Sequence, residues 1–286
     1  LVNLKKSIFC SIATIPHVLQ PQFWQLLLFW LCAANALYLH RMQRQKEWFS
    51  EWFDSPYYHI LYQHRDEDEA RFFLNNLVKR LGMHPGLHLI DLACGRGRHA
   101  IYLNKLGLEV TGVDLSQASI EAALGHTNDR LHFLVQDLRY LNLNKQFDIA
   151  LNLFTSFGYF QHRDEDLQVL KGIHGLLKPQ GLLVIDFFNQ YKVLQQLVPH
   201  EQKRIGEIEF DIKRWHNDQF LFKQIGLKDG DNRFEYIEQV QLLNHDIFSD
   251  MLHESGFAIN QVYGDYSLNQ YNQHASDRLI LVAQKI

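Results

Sequence analysis

"HLIDLACGRGRHA", residues 88–100, is the stretch on which the reading of the fold turns. An apolar run suited to a buried strand stops at Asp91 and passes through Gly95 and Gly97 into a segment with helical patterning that begins at Arg98. The G-x-G-x-x-A portion fits a strand–turn–helix unit that holds a nucleotide on backbone amides. By itself it does not separate a dinucleotide from any other nucleotide ligand. The answer depends on where further acids fall.

Working outward, apolar runs of strand length alternate with longer helical ones from residue 47 onward, the pattern of a parallel sheet flanked by helices. Strands are expected at 87–91, 108–114, 131–137, 147–154 and 182–188. Ser116 is placed to cap a helix after the second strand. The fifth strand is expected after a helix that stops at the basic, Pro/Gly-containing "LKPQG". Five strands in this order require right-handed crossovers and a doubly wound sheet. After Asn189 the pattern changes to apolar–polar alternation between "HND" and "DGDN" turns, which predicts a small antiparallel insertion at about residues 203–242. A helix ending at Gly256 and two closing strands, "FAINQVYGDY" and "DRLILVAQKI", complete a seven-stranded α/β fold.

In an open α/β sheet the ligand lies across the carboxyl ends of the strands. Aspartates stand at three of those ends: Asp91, Asp114 and Asp137. Asp114, about 20 residues past the glycines, suits the hydroxyls of a ribose, a role common to many nucleotide folds. Asp91 is more selective, because an anion just ahead of Gly95 sits poorly beside a pyrophosphate and well beside an ammonium group. Asp137, followed by Leu138, suits an exocyclic amine and a ring. An ammonium, a ribose and an adenine in series describe S-adenosylmethionine.

On these residues the segment 47–286 resembles the class I S-adenosylmethionine-dependent methyltransferases. The D-x-x-C-G-x-G pattern carried by Asp91, Cys94, Gly95 and Gly97 resembles that family's first motif, with Ala93 in the same turn. "VTGVDLS" (Asp114, Leu115) and "VQDLRYL" (Asp137, Leu138) resemble its second and third. "LNLFTSFGYF", "LLKPQGLLVIDFFN" and "SDRLILVAQKI" are similar to a bacterial branch whose inserted sheet covers the active site; Gln180 departs from the usual glycine. The resemblance implies a Rossmann-like methyltransferase fold, S-adenosylmethionine as cofactor, and cofactor contacts at these positions and at Asn152. The acceptor should meet the loop after the fourth strand, where Asn152, Thr155, Ser156 and Tyr159 are expected to face the methyl group. Tyr58 and Tyr159 are the candidate catalytic residues, and no catalytic base is legible. Cys94 reads as a packing residue, since its spacing implies no partnering base.

Composition narrows the alternatives. Of 286 residues, 28 are Lys or Arg and 32 Asp or Glu, a net charge of −4 that disfavours a nucleic-acid partner. The small-molecule acceptor is preferred to a protein or RNA acceptor, and methyl transfer to a nicotinamide-dependent oxidoreductase or a non-catalytic binding module. Three cysteines point to a reducing compartment, hence the cytoplasm, and 16 histidines without paired spacing suggest no metal site. Residues 1–46 are a separate leader without acids, containing the apolar run Phe23–Leu39. Two readings stand: a membrane anchor flanked by basic residues, or sequence preceding a native start at Met42. The second is preferred; it implies no membrane contact and leaves 25 basic against 32 acidic residues once Lys5, Lys6 and Arg41 are removed.

Overall fold

The computed structural model describes residues 47–63 and 67–286. The leader, its apolar run and residues 64–66 lie outside the described residues. Among the described residues no helix is long and apolar enough to cross a membrane.

Helices α1 (Trp48–Trp52), α2 (Pro56–Leu61) and α3 (Glu67–Arg80) precede the first strand. The segment that follows alternates β1 (His88–Leu92), α4 (Arg98–Lys105), β2 (Glu109–Asp114), α5 (Gln117–Leu124), β3 (Leu131–Val135), β4 (Phe147–Asn152), α6 (Arg163–Leu176) and β5 (Leu177–Phe188). After α7 (Gln190–Gln195) come β6 (His200–Ile205), β7 (Ile208–His216), β8 (Phe220–Asp229) and β9 (Asn232–Gln241). The chain then returns through α8 (His245–Glu254), β10 (Phe257–Tyr263) and β11 (Arg278–Lys285).

The main sheet has seven strands in the order β10-β11-β5-β4-β1-β2-β3, with β11 antiparallel to both neighbours. The order reverses between β1 and β4, so a crevice forms at the carboxyl ends of these strands, where ligands of such sheets bind. Alternation along β1 serves both faces: Ile90 and Leu92 join the core under α6 and α8, while Leu89 joins the core under α3, α4 and α5. The side chain of Asp91, one position before the strand's end, is therefore carried into the interior.

The second sheet, β6-β7-β8-β9, is wholly antiparallel. Its apolar positions Phe210, Ile212, Ile225 and Leu227 pack against Trp52 of α1 and Leu61 of α2 in a third cluster. The alternation that marks these strands in the sequence is the signature of a sheet with one covered face.

Several boundaries differ from the sequence expectations, three of them within reach of the site or its turns. β3 stops at Val135, so Asp137 does not end a strand; it caps a short 3-10 turn over Leu138–Tyr140, accepting from the backbone N–H of Arg139 at 3.0 Å. A carboxylate that can hold its own turn ends a ladder early. β4 stops at Asn152, and Leu153 and Phe154 belong to the loop. β5 begins at Leu177, five residues early, and the "KPQG" segment is an irregularity inside the strand: register with β4 jumps from Phe147↔Leu177 to Ile149↔Leu182. Gln180 takes a positive φ of 65° within it, which explains why glycine suits this position. The expected Ser116 cap is present, its Oγ accepting from Ser119 N–H at 3.0 Å.

Candidate functional site

The turn after β1 is compact because several residues adopt left-handed backbone. Ala93, Gly95 and Gly97 have φ of 57°, 55° and 79°. Gly97 is required twice over: a Cβ there would meet the Phe133 ring at 2.6 Å. Around Gly95 the space a Cβ would enter is open, and the residue lines a cavity of about 580 Å³, within the size range of small-ligand sites.

Asp114 fastens this turn to β2. Its Oδ2 accepts from Gly95 N–H at 2.7 Å and its Oδ1 from Ser116 N–H at 2.8 Å. Each oxygen has a further lone pair, enough for a vicinal diol. Burial pushes its carboxyl above the ordinary range, against the lowering effect of those two amides. Asp54, from the segment between α1 and α2, reaches the same corner and accepts from Ser116 Oγ at 2.5 Å.

Asp91 is 1% exposed, and its Oδ2 has no hydrogen-bond partner among the described residues. Burial, reinforced by the charge of Asp114, pushes its carboxyl up to about 7. An orphaned buried carboxylate oxygen, an open glycine and an acid with spare lone pairs fit a ligand carrying an ammonium and a ribose, which is the donor set that S-adenosylmethionine needs. The Cys94 thiol, beside both acids, is pushed well above its ordinary value by burial and then by the Asp91 and Asp114 charges.

The loop after β4 forms the middle of the cavity wall. Phe154 and Thr155 adopt φ of 57° and 62°, an unfavourable conformation for both residues. Asp186 of β5 holds them: its Oδ2 accepts from Phe154 N–H at 2.9 Å and its backbone carbonyl from Thr155 N–H at 2.9 Å. Arg278 of β11 donates from Nε to Asp186 Oδ1 at 2.7 Å and from Nη2 to Thr155 Oγ1 at 3.0 Å. Asp186 has no solvent exposure, so the ion pair sits under the loop. Burial alone would lower the guanidinium of Arg278, but Asp186 and Tyr266 outweigh it and the net direction is upward. The Phe154 ring stacks on His99 at 4.8 Å and lies under the guanidinium of Arg98 at 5.0 Å, joining this loop to the start of α4.

The far end of the cavity is aromatic. Trp48, Phe53, Tyr58, Tyr62 and Tyr159 line it together with Glu238 and Val240 of β9. Phe53 lies 4.9 Å from Tyr58 and 5.5 Å from Tyr159, and Trp48 lies 5.2 Å from Tyr159. Glu238 is gripped by Trp52 Nε1–H and Tyr62 O–H, both donating to its Oε1 at 2.6 Å.

Of the residues singled out in the sequence, Ala93, Cys94, Gly95, Asp114, Thr155, Ser156, Tyr58 and Tyr159 line this cavity. Asp91 and Gly97 lie beneath the turn rather than on its surface. Leu115 is half-buried beside Asp114. Asn152 does not face the cavity as expected: it is fully buried, with Nδ2 donating to the Ser156 carbonyl at 3.1 Å, so it braces the loop from below. Asp137 is ion-paired with Arg139 at 2.7 Å and does not line the cavity, and Leu138 packs on the core. The hydroxyl of Tyr159 donates to the Thr155 carbonyl, committing it to the loop. Asp54, Asp186, Glu238 and Arg278 were not singled out. Their roles arise from contacts between elements distant in the chain, and only the "VIDFF" and "SDRLIL" strand ends hinted at two of them.

Residues 89–181 match a family model described as a methyltransferase domain. The chain contains a class I S-adenosylmethionine-dependent methyltransferase domain. The match begins in β1 and ends inside β5, and so includes the glycine turn, Asp114 and the loop after β4. S-adenosylmethionine is the methyltransferase's cofactor, and the seven-stranded sheet is its Rossmann-like core. Over 229 residues the methyltransferase is 28% identical to a glycine/sarcosine N-methyltransferase of Halorhodospira halochloris, covering 77% of this chain and 82% of that one. Its fold is similar to that of an S-adenosylmethionine-dependent methyltransferase from Clostridium acetobutylicum (TM-score 0.68, 20% identity, 80% of this chain and 96% of the other). It is also similar to CalS10, an amino pentose methyltransferase from Micromonospora echinaspora (TM-score 0.60, 17% identity, 81% and 98%).

Proposed function

We propose that the methyltransferase acts in the cytoplasm on a small molecule that enters the aromatic end of the cavity while the cofactor occupies the end formed by Gly95 and Asp114. The observation that carries this reading is the continuity of one cavity from Gly95 and Asp114 to Tyr58, Tyr62 and Glu238. When bound, S-adenosylmethionine supplies an electrophilic methyl group on sulfur; an acceptor lone pair takes the methyl carbon and the C–S pair returns to sulfur. The protein's part is to align the acceptor and exclude water. Asp114 would hold the ribose hydroxyls, Asp91 would balance the ammonium, and Ala93, Cys94, Gly95 and Gly97 would form the floor. Asp137, Leu138, Leu115 and Asn152 act as supports of this site rather than as its surface.

The segment from residue 47 to 286 acts as one catalytic domain, with the antiparallel sheet as an insertion that covers the acceptor end. A small acceptor is supported by the partial enclosure of that end and by the relatives, which include a glycine/sarcosine N-methyltransferase and an amino pentose methyltransferase. Calorimetry against S-adenosylhomocysteine, with a nicotinamide dinucleotide as control, tests the cofactor end. Incubation of a metabolite extract, bulk tRNA and lysate protein with labelled S-adenosylmethionine tests the acceptor. Label in small molecules supports the reading, and label confined to protein or tRNA overturns it.

A further inference from the structure

Resting on the division of the cavity proposed above, we infer that the acceptor carries an amine and that Glu238 receives it. Glu238 lines the acceptor end of the cavity, and one of its oxygens takes no hydrogen bond among the described residues. Its Oε1 takes two short hydrogen bonds, from Trp52 and Tyr62. Its Oε2 accepts none among the described residues; the nearest cation, Lys223 Nζ, stands 3.7 Å away, beyond hydrogen-bond length. Lys223 itself turns to Tyr62, donating to the phenol oxygen, with Nζ 4.5 Å from the ring centroid.

A carboxylate that is 15% exposed on an aromatic wall is costly unless something compensates it. Two donors on one oxygen and a lysine at longer range fix its position and leave Oε2 without a hydrogen bond. The rings of Phe53, Tyr58 and Trp48 line the same space, and aromatic rings attract cations through their faces. Rings and carboxylate together favour a cationic group over a neutral hydroxyl of the same shape. The arginines lining the cavity, Arg96 and Arg98, both belong to the glycine turn and the start of α4. An amine arrives as its ammonium and must shed one proton before its lone pair can attack. Oε2 of Glu238 takes that proton from nitrogen and passes it to water, so charge and atoms balance without another reactant.

The test uses the full chain saturated with S-adenosylhomocysteine and three matched probes: benzyltrimethylammonium, benzylamine and benzyl alcohol. Binding of S-adenosylhomocysteine is measured first; its failure would overturn the cofactor reading rather than the amine inference. Given that binding, calorimetry on the unaltered protein should show both cations binding at least about fivefold more tightly than the alcohol. Glu238→Gln should remove most of that preference while leaving benzyl alcohol and S-adenosylhomocysteine affinities unchanged. Equal binding of cation and alcohol, absence of cation binding, or a preference that survives in Glu238→Gln overturns the inference. The probe comparison on the unaltered protein stands even if the variant does not fold.

Discussion

The strained loop at Phe154 and Thr155 should depend on the ion pair beneath it. Asp186→Ala removes the acceptor of the Phe154 amide and the counterion of Arg278 in one step. Breaking a buried pair from one side costs about 3–5 kcal/mol, because the surviving charge is left uncompensated. Part of this returns when the two positive-φ residues relax, at about 1–3 kcal/mol each. We therefore expect a net loss of about 2–4 kcal/mol in urea unfolding followed by tryptophan fluorescence. Arg278→Met leaves Asp186 charged and fully buried, and should lose a similar amount. The double variant leaves no orphaned charge, so its loss should fall short of the sum of the two single losses by at least about 2 kcal/mol. Single variants within about 1 kcal/mol of the parent, or strict additivity in the double, would refute the claim that this pair holds the loop.

Asp114→Ala should weaken S-adenosylhomocysteine binding by about 1–3 kcal/mol in calorimetry through lost hydroxyl contacts, and unchanged affinity would dismiss its ribose role. Asp91 titrates at 3.8 ordinarily and near 7 when folded, so between these values the folded protein holds a proton that the unfolded chain has lost. Its contribution to stability is full below the lower value and fades as pH rises through the upper one; Asp91→Asn should flatten that slope in urea titrations at several pH values. If its ionised form meets the cofactor's ammonium, S-adenosylhomocysteine should bind more tightly from about pH 5.5 to about pH 7.5, by up to about tenfold per unit below 7, and the asparagine variant should show no such trend. Gly97→Ala combines a left-handed backbone penalty of about 1–2 kcal/mol with about 1–3 kcal/mol of overpacking against Phe133. A thermal melt unchanged from the parent would contradict the 2.6 Å approach.

Legibility followed the range of the forces involved. The turn from Asp91 to Gly97 and the acid of β2 could be read because strand periodicity and glycine conformational freedom are local properties. The antiparallel insertion was readable for the same reason, its alternation reporting one covered face. Asp137 was misplaced because a carboxylate that caps its own turn looks, in sequence, like one that ends a strand. Asn152 stands fully buried at a strand end, where its amide braces the loop from beneath, and a polar residue there reads in sequence like one that faces a ligand. The acceptor end was hardest to read. Trp52 and Glu238 are 186 positions apart, and no periodicity marks a hydrogen bond across that distance.

The state of Cys94 has a consequence for survival of the catalyst. A methylating agent is to be held against a turn that carries sulfur, an atom readily alkylated once ionised. Burial, reinforced by the acids Asp91 and Asp114, keeps this thiol protonated, and its Sγ packs where a side chain on Gly112 would otherwise intrude, 2.8 Å from that absent Cβ. A thiol held protonated in this way is a poor nucleophile toward a methylating agent placed beside the turn.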